Sequence, residues 1–459
     1  MAVLLLWAIP AHAAEGLHCQ DFKKIYEFAA TEHLRFRSAH AESSLSLLQE
    51  ATQKIPIELR KQGYSMLAAL FERDLHRGSL KKESADKICE ELPSGLHRAI
   101  LIKSFVGSLD PFSEFYMSEE LSKRTSVVDG HFVGVGIGTD VKDPFIEVKE
   151  IVAGGPSDRK IFLGDLISEV DGYPVRGLDQ AELRRRMRGE VGSRVVLKGK
   201  RLEGDLQVDF EVTITRNHVY QTAVSSHWAE KGILQIKVHR FFAQTAPLVR
   251  DLLIKERPRT KGVILDLRDN PGGLLQAARD LVDLFISKGV VIHMRGTYDD
   301  QLWATQSGGF TKLPLVVLIN EKSASSSEIV AGALQDYGRA LLVGTKTYGK
   351  SCIQNIYDTK SGLGTEYEGG VKLTTLWYYL PSGRSVRNLQ PDILLAGSKD
   401  AAEHLKLPYE WPDQISVLSQ PEWKMAKQKL LNSTNSVIAR DASPEDAGRR
   451  ILKMMAVAQ

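Results

Sequence analysis

The sequence predicts a multidomain α/β protein with a β-rich module inserted between a helical N-terminal region and an α/β core, and with a helical C-terminal region. Three observations predict this class. Apolar residues recur every three or four positions near both ends. Short β-branched runs broken by glycine follow the first helical region, and apolar strands then alternate with amphipathic segments. The predicted boundaries are 14–115, 116–217, 218–400 and 401–459.

The first thirteen residues, MAVLLLWAIPAHA, are typical of a signal peptide. A short apolar segment is followed by a small-x-small triplet that ends at Ala13. We therefore expect an exported protein, either periplasmic or secreted. No later apolar run approaches the roughly 18 residues that a membrane-spanning helix needs, so we expect no stable membrane span.

The helical regions and the β-rich module are distinguished by their periodicity. The segments DFKKIYEFAA and SLSLLQEATQKI predict N-terminal helices, and PEWKMAKQKLL and PEDAGRRILKMM predict C-terminal helices that begin at proline. The module contains the predicted strands FIEVKEIV, SRVVLKGKR and VDFEVTITR, together with one predicted helix, LDQAELRRRM.

In the core, each apolar run is followed by an amphipathic one. GILQIKV precedes TAPLVRDLLIKE, GVILDL precedes LLQAARDLVDLFI, and LPLVVLI precedes SSEIVAGALQDY, after which ALLVGT follows. Continuous apolar strands separated by helices are typical of crossover units around a buried sheet.

Charge and metal-ligand patterns exclude several classes of function. The 60 basic and 57 acidic residues are interspersed, with a net charge of +3, so no nucleic-acid footprint is predicted. The 12 histidines show no metal-ligand spacing, and we expect neither a metal nor an organic cofactor. In an oxidising compartment Cys19 and Cys89 can pair, which would leave Cys352 unpaired.

The stretch EKSASSSEIVAGALQD places four serines at a predicted strand-to-helix junction. At such a junction a hydroxyl projects clear of the sheet, and the helix N-terminus stabilises developing negative charge. Ser325 and Ser326 are both at this position, and local reasoning does not choose between them. The alternative is that all four serines are turn and cap residues.

A base for such a serine is offered by VGTKTYGKSCIQ, because no histidine is near. Period-two spacing places Lys350, Cys352 and Gln354 on one face of a predicted strand. A buried lysine whose pKa is lowered can accept the serine proton, and Gln354 can orient its amine. The alternative is a solvated surface lysine.

Residues 344–351, GTKTYGKS, also match the phosphate-binding pattern G-x-x-x-x-G-K-[ST]. That motif must lead into a helix, whereas CIQNIYDTKSGLG is β-branched and glycine-rich. Nucleotide hydrolysis is therefore the weaker hypothesis.

The turn in LDLRDNPGGLL supplies a candidate oxyanion site. Glycines allow backbone amides to approach a ligand closely, and acyl transfer needs two such amides. Gly272 or Gly273 can give one, and the residue after the nucleophile can give the other. The alternative is an ordinary loop.

These segments, in the order LDLRDNPGG, SASSSEIVAGALQD and TYGKSCIQ, followed by WYYLPSGRSV, resemble the C-terminal processing peptidases, also called tail-specific proteases. The resemblance covers roughly residues 109–393. It implies a crotonase-like core and a serine endopeptidase in which Ser325 is the nucleophile, Lys350 the base and Gln354 its support. It also implies that the amides of Gly273 and Ser326 form the oxyanion hole.

The resemblance further implies that the β-rich module is a PDZ domain. GVGI resembles the carboxylate-binding loop of such domains, formed here by Gly134, Val135, Gly136 and Ile137. The implied partners are proteins or peptides with exposed C-terminal tails, and an adaptor protein or an oligomer is compatible with the helical ends. A catalytically silent peptide-binding protein of the same fold is the rival hypothesis.

Three residues depart from the family pattern. Phe112 stands where the family often has histidine, and Cys352 stands where it has a small residue. Ser326 replaces the usual alanine, and we expect its replacement by alanine to be tolerated.

Overall fold

A computed structural model describes most of the chain. The described residues are 16–34, 48, 51, 60, 95–118, 120–121, 130–178, 180–204, 206–296, 298–304, 309–310, 312–395, 413–415 and 443–457. The predicted signal peptide, Cys89, the segment PEWKMAKQKLL and most of SLSLLQEATQKI lie outside this range.

Helices form where apolar residues repeat with helical period. In chain order the α-helices of the described residues are α1 Cys19–Glu32, α2 Gly95–Leu109, α3 Gln180–Met187, α4 Thr245–Glu256, α5 Leu275–Asp283, α6 Ser326–Asp336, α7 Thr359–Leu363 and α8 Pro444–Val457.

The strands of the described residues are β1 Glu114–Met117, β2 His131–Gly134, β3 Ile137–Lys142, β4 Phe145–Ile151, β5 Leu166–Val170, β6 Tyr173–Pro174, β7 Arg194–Glu203, β8 Leu206–Thr215, β9 Asn217–Tyr220, β10 Val224–Glu230, β11 Ile233–Val238, β12 Gly262–Asp266, β13 Gly289–Gly296, β14 Asp300–Ala304, β15 Leu315–Ile319, β16 Leu341–Gly344, β17 Cys352–Asp358, β18 Gly369–Tyr379 and β19 Ile393–Leu394.

The core is organised around a six-stranded sheet in the order β10-β11-β12-β15-β16-β19. Strand β10 is antiparallel to β11, and the other neighbours are parallel. Alternate residues along each strand face opposite sides. One side packs on α4, α5 and α6, and the other packs on α8. The sheet is therefore buried on both faces, as its continuous apolar strands predict.

A second sheet packs beside the first. It includes β1, which precedes the inserted unit in the chain. Its order is β1-β18-β13-β14, and β17 also pairs with β18. Helices α1 and α2 pack on β1 and β18 through a separate apolar cluster. The N-terminal helices and the α/β core thus form one compact unit, composed of Met1–Ser122 and Val224–Gln459.

The inserted unit is Lys123–Ala223. Its main sheet has the order β3-β4-β5-β7-β8, with β6 beside β5, and a separate ribbon pairs β2 with β9. Helix α3 contributes Leu183 and Met187 to the apolar core of this unit. The α/β class with a β-rich insertion and helical ends is confirmed.

Other expectations concern covalent and membrane features. Cys19 is disulfide-bonded, and Cys352 is free and buried. Within the described part of the chain, no helix is both long and apolar enough to cross a membrane. The same residues contain no cluster of three or more side chains suited to a metal ion.

The contact between α8 and the sheet gives a stability prediction. Ile451 is fully buried against strand residues such as Ile264 and Val316. Replacing Ile451 by alanine should lower the free energy of unfolding by about 2–5 kcal/mol, since it removes buried methyl groups and leaves a cavity. Urea unfolding measures this change.

The matched control is the neighbouring exposed residue Arg450. Arg450→Ala should change the free energy of unfolding by no more than about 0.5 kcal/mol. Equal losses in the two variants would contradict the packing of α8 on the sheet.

Candidate active site

Three loops meet at one edge of the parallel sheet. They follow β12, β15 and β16, which are adjacent and parallel, so their carboxyl ends lie at the same edge. The first loop contains the candidate oxyanion turn, the second contains the serine cluster and the third leads to Lys350. The carboxyl edge of a parallel sheet is the usual place for a site in such folds.

The four serines of the second loop have different environments. Ser323, Ser326 and Ser327 are buried, and their hydroxyls donate to the backbone carbonyls of Leu267, Gly273 and Asn270, at 2.8, 3.0 and 2.8 Å respectively. Ser325 is only half-buried. Three of the hydroxyls therefore serve the packing of the loop.

Ser325 also has an unusual backbone. It is the N-cap of α6, with φ 54° and ψ −117°. A positive φ is costly for a residue with a Cβ, and such strain is concentrated at functional sites. A strained serine between a strand and a helix resembles the arrangement that exposes the nucleophile of α/β-hydrolases.

The candidate oxyanion turn is held by a buried asparagine. Asn270 donates from Nδ2 to the carbonyl of Val238 at 2.8 Å, and its Oδ1 accepts from the Gly272 amide at 2.9 Å. Its own carbonyl accepts from the amide of Ala324 at 3.0 Å and from the hydroxyl of Ser327 at 2.8 Å. The turn and the serine loop are thus joined directly.

The backbone of the turn lies too close to neighbouring residues for a side chain at positions 272 and 273. A Cβ on Gly272 would lie 2.8 Å from the carbonyl oxygen of Ala324 and 2.9 Å from Cβ of Ser325. A Cβ on Gly273 would lie 2.1 Å from the carbonyl oxygen of Phe241. Only glycine allows the turn to lie so close to the serine loop.

The amides of Gly273 and Ser326 are left without acceptors. Among the described residues, neither amide donates a hydrogen bond to the protein. The side chain of Ser326 donates to the carbonyl of Gly273 at 3.0 Å and so fixes the turn beside the helix N-terminus. Two unpaired amides in joined loops are suited to binding an oxyanion.

Lys350 lies in the third loop, two residues before β17. Burial lowers the pKa of its amine below the ordinary lysine value. Its Nζ lies 4.5 Å from the centroid of the Phe112 ring, so an aromatic face covers the amine. In the described part of the structure, the amine forms no hydrogen bond or ion pair.

Of the three residues predicted to share one face of β17, two lie in the strand and contact each other. Nε2 of Gln354 donates to Sγ of Cys352 at 3.2 Å and to Oγ1 of Thr374 at 3.1 Å. Lys350 itself precedes the strand, and the pairing with β18 shifts register between Ile353 and Gln354. Because residues 344–351 lead into a strand and not a helix, the phosphate-loop hypothesis fails on its structural requirement.

A buried carboxylate joins the serine loop to the lysine loop. Glu328 has no exposed surface, and its Oε2 accepts from the amides of Ser325 at 2.7 Å and Lys350 at 3.0 Å. Its Oε1 accepts from the amide of Gly349 at 2.6 Å. Burial raises the pKa of this carboxyl group to about 7.

The candidate carboxylate-binding loop lies in the inserted unit. Gly134 ends β2, and Val135 is buried beside Leu183 and Met187 of α3. Gly136 has φ 78°, and its carbonyl accepts from the amide of Val152 at 2.9 Å. Strand β3 then begins at Ile137, at the edge of its sheet.

Sequence reasoning missed three contributors to this site. From the sequence, Asn270 is included only as part of the NPGG turn, and no role is assigned to Glu328. Phe112 was noted only as a departure from the family pattern. The spacing of Ser325 and Glu328, a serine with a glutamate three residues later, is a capping-box signature and was the available signal.

The close contact of the turn predicts the effect of a single methyl group. Gly272→Ala should lower the free energy of unfolding by about 1–3 kcal/mol, since φ is 98° and the new Cβ would overlap the serine loop. Thermal unfolding measures this change. Gly309, which has open space around it, is the control, and equal effects of the two alanine substitutions would contradict the contact.

The buried lysine makes stability depend on pH. The unfolded chain binds the proton up to about pH 10.5, whereas the folded protein loses it at lower pH, so the folding free energy improves as pH rises through this window. Lys350→Met removes the free-energy cost of burying a charged amine. The variant should be more stable than the wild type at pH 7, by a margin that shrinks towards high pH.

Urea unfolding between about pH 7 and 9.5 measures this margin. Lys312→Met is the control, because Lys312 is exposed and its replacement should show no such trend. A margin for Lys350→Met that stays constant or grows with pH would contradict the lowered lysine pKa.

Comparisons with known proteins agree with the two units. Residues 232–395 match peptidase family S41, and residues 124–198 match the PDZ domain. A carboxy-terminal-processing protease of Bartonella bacilliformis is 34% identical over 305 residues, which cover 64% of this chain and 68% of that protein. A probable CtpA-like serine protease of Staphylococcus aureus is 29% identical over 324 residues, covering 69% of this chain and 61% of that protein.

Among solved structures, a photosystem II D1 C-terminal processing protease aligns with a TM-score of 0.44 at 24% sequence identity, covering 77% of this chain and 93% of that one. The relative from Bartonella bacilliformis, matched over two thirds of its length, settles the family. This chain belongs to the carboxy-terminal-processing peptidases of family S41 and carries their PDZ domain.

Proposed function

We propose that this protein is a serine endopeptidase in which Ser325 attacks the peptide carbonyl and Lys350 is the general base. One observation carries the proposal: the amides of Ser325 and Lys350 bind the same oxygen of Glu328. The two loops are therefore joined at the residues that must react together. Ser325 is also the one member of its cluster that is half-buried and strained.

The lowered pKa of Lys350 supports its role as a base. A neutral amine can accept the proton from the Ser325 hydroxyl as the hydroxyl oxygen forms its bond to the carbonyl carbon. The ammonium then returns this proton to the departing amine. Water repeats the cycle on the acyl-enzyme, with Lys350 again as base.

The amides of Gly273 and Ser326 are proposed to bind the tetrahedral oxyanion. Both are free of protein acceptors in the described structure, and the hydroxyl of Ser326 holds the carbonyl of Gly273. Fixed donors cost no reorganisation when charge develops on the substrate oxygen. Because Ser326→Ala removes this hydrogen bond, we expect a modest loss of activity. From the sequence alone, we expected the replacement to be tolerated.

Gln354 is proposed to orient the lysine. Its amide nitrogen donates to Cys352 and Thr374, which fixes the orientation of the amide group. Its oxygen accepts from none of the described residues and is left to accept a hydrogen bond from the Lys350 ammonium.

The PDZ domain is proposed to select substrates by their C-terminal tails. Among the described residues β3 is an edge strand that pairs with β4, and a peptide is proposed to add as a strand along its other edge. The loop formed by Gly134, Val135, Gly136 and Ile137 would bind the terminal carboxylate through backbone amides. The backbone of Arg188 forms a β-bridge with Gly134, and its guanidinium lies 4.7 Å from the centroid of the Phe132 ring.

Export through the predicted signal peptide at residues 1–13 would place the enzyme in the periplasm or outside the cell. Its substrates would then be exported proteins with accessible C-termini. An adaptor protein and an oligomeric state stay predictions.

The dyad is tested by cleavage of unfolded casein and by labelling with a fluorophosphonate. Ser325→Ala should abolish labelling and reduce kcat by at least about 1,000-fold, since the bond-forming oxygen is removed. Lys350→Ala should have a comparable effect on kcat. Ser326→Ala keeps the backbone amide and should lose no more than about 10-fold, for one hydrogen bond.

Other outcomes would contradict this proposal. Labelling that follows Ser326 and not Ser325 would reassign the nucleophile. A wild-type protein that binds tailed peptides but cleaves none would favour the catalytically silent peptide-binding protein.

A further inference from the structure

Glu328 is a fully buried ionisable group that the proposed chemistry does not use. It lies in the first turn of α6, three residues after the proposed nucleophile. Burying a carboxylate is expensive unless hydrogen bonds compensate for the lost water. The contacts of this side chain therefore need a reason.

A helix cap explains only part of these contacts. The bond from the Ser325 amide to Oε2, at 2.7 Å, is half of an ordinary capping box. The amides of Gly349 and Lys350 come from a different loop, 21 and 22 residues further along the chain. A cap alone would require neither.

The geometry fixes the spacing of the two loops. One oxygen lies 2.7 Å from the backbone nitrogen of Ser325 and 3.0 Å from that of Lys350, so these two nitrogens cannot be further apart than the two distances combined. The other oxygen holds Gly349 at 2.6 Å. If the carboxylate were lost, three partly buried amides would lack this acceptor.

We propose that Glu328 is a positioning residue that sets the separation of Ser325 from Lys350 by binding both backbones through one carboxylate. The inference deepens the proposed function and rests on it. Glu328 does not touch substrate. It acts by holding the nucleophile and the base at a working distance, on which proton transfer depends steeply.

The carboxylate form is the one suited to this task. Ionised, it is purely an acceptor and matches its three backbone donors, whereas the protonated group carries a hydrogen of its own that competes with them. Since burial raises the pKa of Glu328 to about 7, the assembled site should be lost as the pH falls through that value. The titratable groups that its charge reaches are Lys350, Cys352 and Tyr378.

The test is the pH dependence of peptide cleavage by the full-length protein. For the wild type, kcat/KM should fall on the acid side with the uptake of about two protons, one on Lys350 and one on Glu328 near pH 7. Glu328→Gln should reduce kcat by about 10- to 100-fold with little change in KM, and its acid limb should show only one proton.

The remaining limb of Glu328→Gln should also move to lower pH. The charge on Glu328 raises the pKa of Lys350, so its removal lets the amine lose its proton more readily. A role in stability alone would not change the number of protons or the position of the limb.

Asp336→Asn is the matched control. Asp336 is also buried in α6, but it lies at the opposite end of the helix and pairs with Arg384 and the amide of Ser382. This variant makes the same chemical change at a distance from Ser325. It should keep the two-proton limb even if its thermal unfolding temperature falls.

Three results would overturn the inference. One is a Glu328→Gln variant with the kcat and acid limb of the wild type, and another is an Asp336→Asn variant that changes both as strongly. The third needs no variant: a wild-type limb of about one proton, measured down to about pH 5, excludes a required Glu328 carboxylate even if Glu328→Gln fails to fold. Failure of the proposed function is recognised separately, by full cleavage activity in Ser325→Ala or Lys350→Ala, and the inference would fall with it.

Discussion

The site depends on holding three loops in place with buried and partly buried hydrogen bonds. Two buried residues, Asn270 and Glu328, provide most of them. Asn270 joins the candidate oxyanion turn to the serine loop through its backbone carbonyl, and Glu328 joins the serine loop to the lysine loop through its carboxylate. Each loop follows a different strand, so sheet pairing alone fixes only where the loops begin. These two residues determine how the loops meet.

This construction stores free energy in several unfavourable features. Ser325 has a strained backbone, Lys350 is deprived of water, and Glu328 is a buried acid. If stability were the only requirement, each of these features would be replaced by one of lower free energy. Their occurrence at one edge of the sheet is the pattern expected where function opposes stability.

Local periodicity was sufficient for the architecture. The segment TAPLVRDLLIKE was predicted as a helix and forms α4, Thr245–Glu256, and LPLVVLI was predicted as a strand and forms β15, Leu315–Ile319. Both depend on apolar spacing that is legible within a dozen residues. The junction between β15 and α6 was found in the same way, and with it the pair Ser325 and Ser326.

The remaining features depend on distant residues. Local reasoning did not separate Ser325 from Ser326. The two residues differ in backbone angles and in burial, and neither property can be inferred from a run of four serines. The contact of Phe112 with Lys350 joins segments more than two hundred residues apart, on either side of the inserted unit. The pairing of β1 with β18 is equally remote. Patterns within a short window carry no information about such meetings.

The ribbon of β2 and β9 has a consequence for folding. The amide of Gln221 donates to the carbonyl of Gly130 at 2.9 Å, so the first and last described strands of the inserted unit bring Gly130 and Gln221 side by side. Once that unit is folded, it connects the two flanking segments of the chain as a short loop would, whatever its number of residues. Closing a loop of this kind carries the entropy of a tight turn and not that of a long flexible segment. An early-folding insertion would thereby shorten the conformational search of the chain that encloses it.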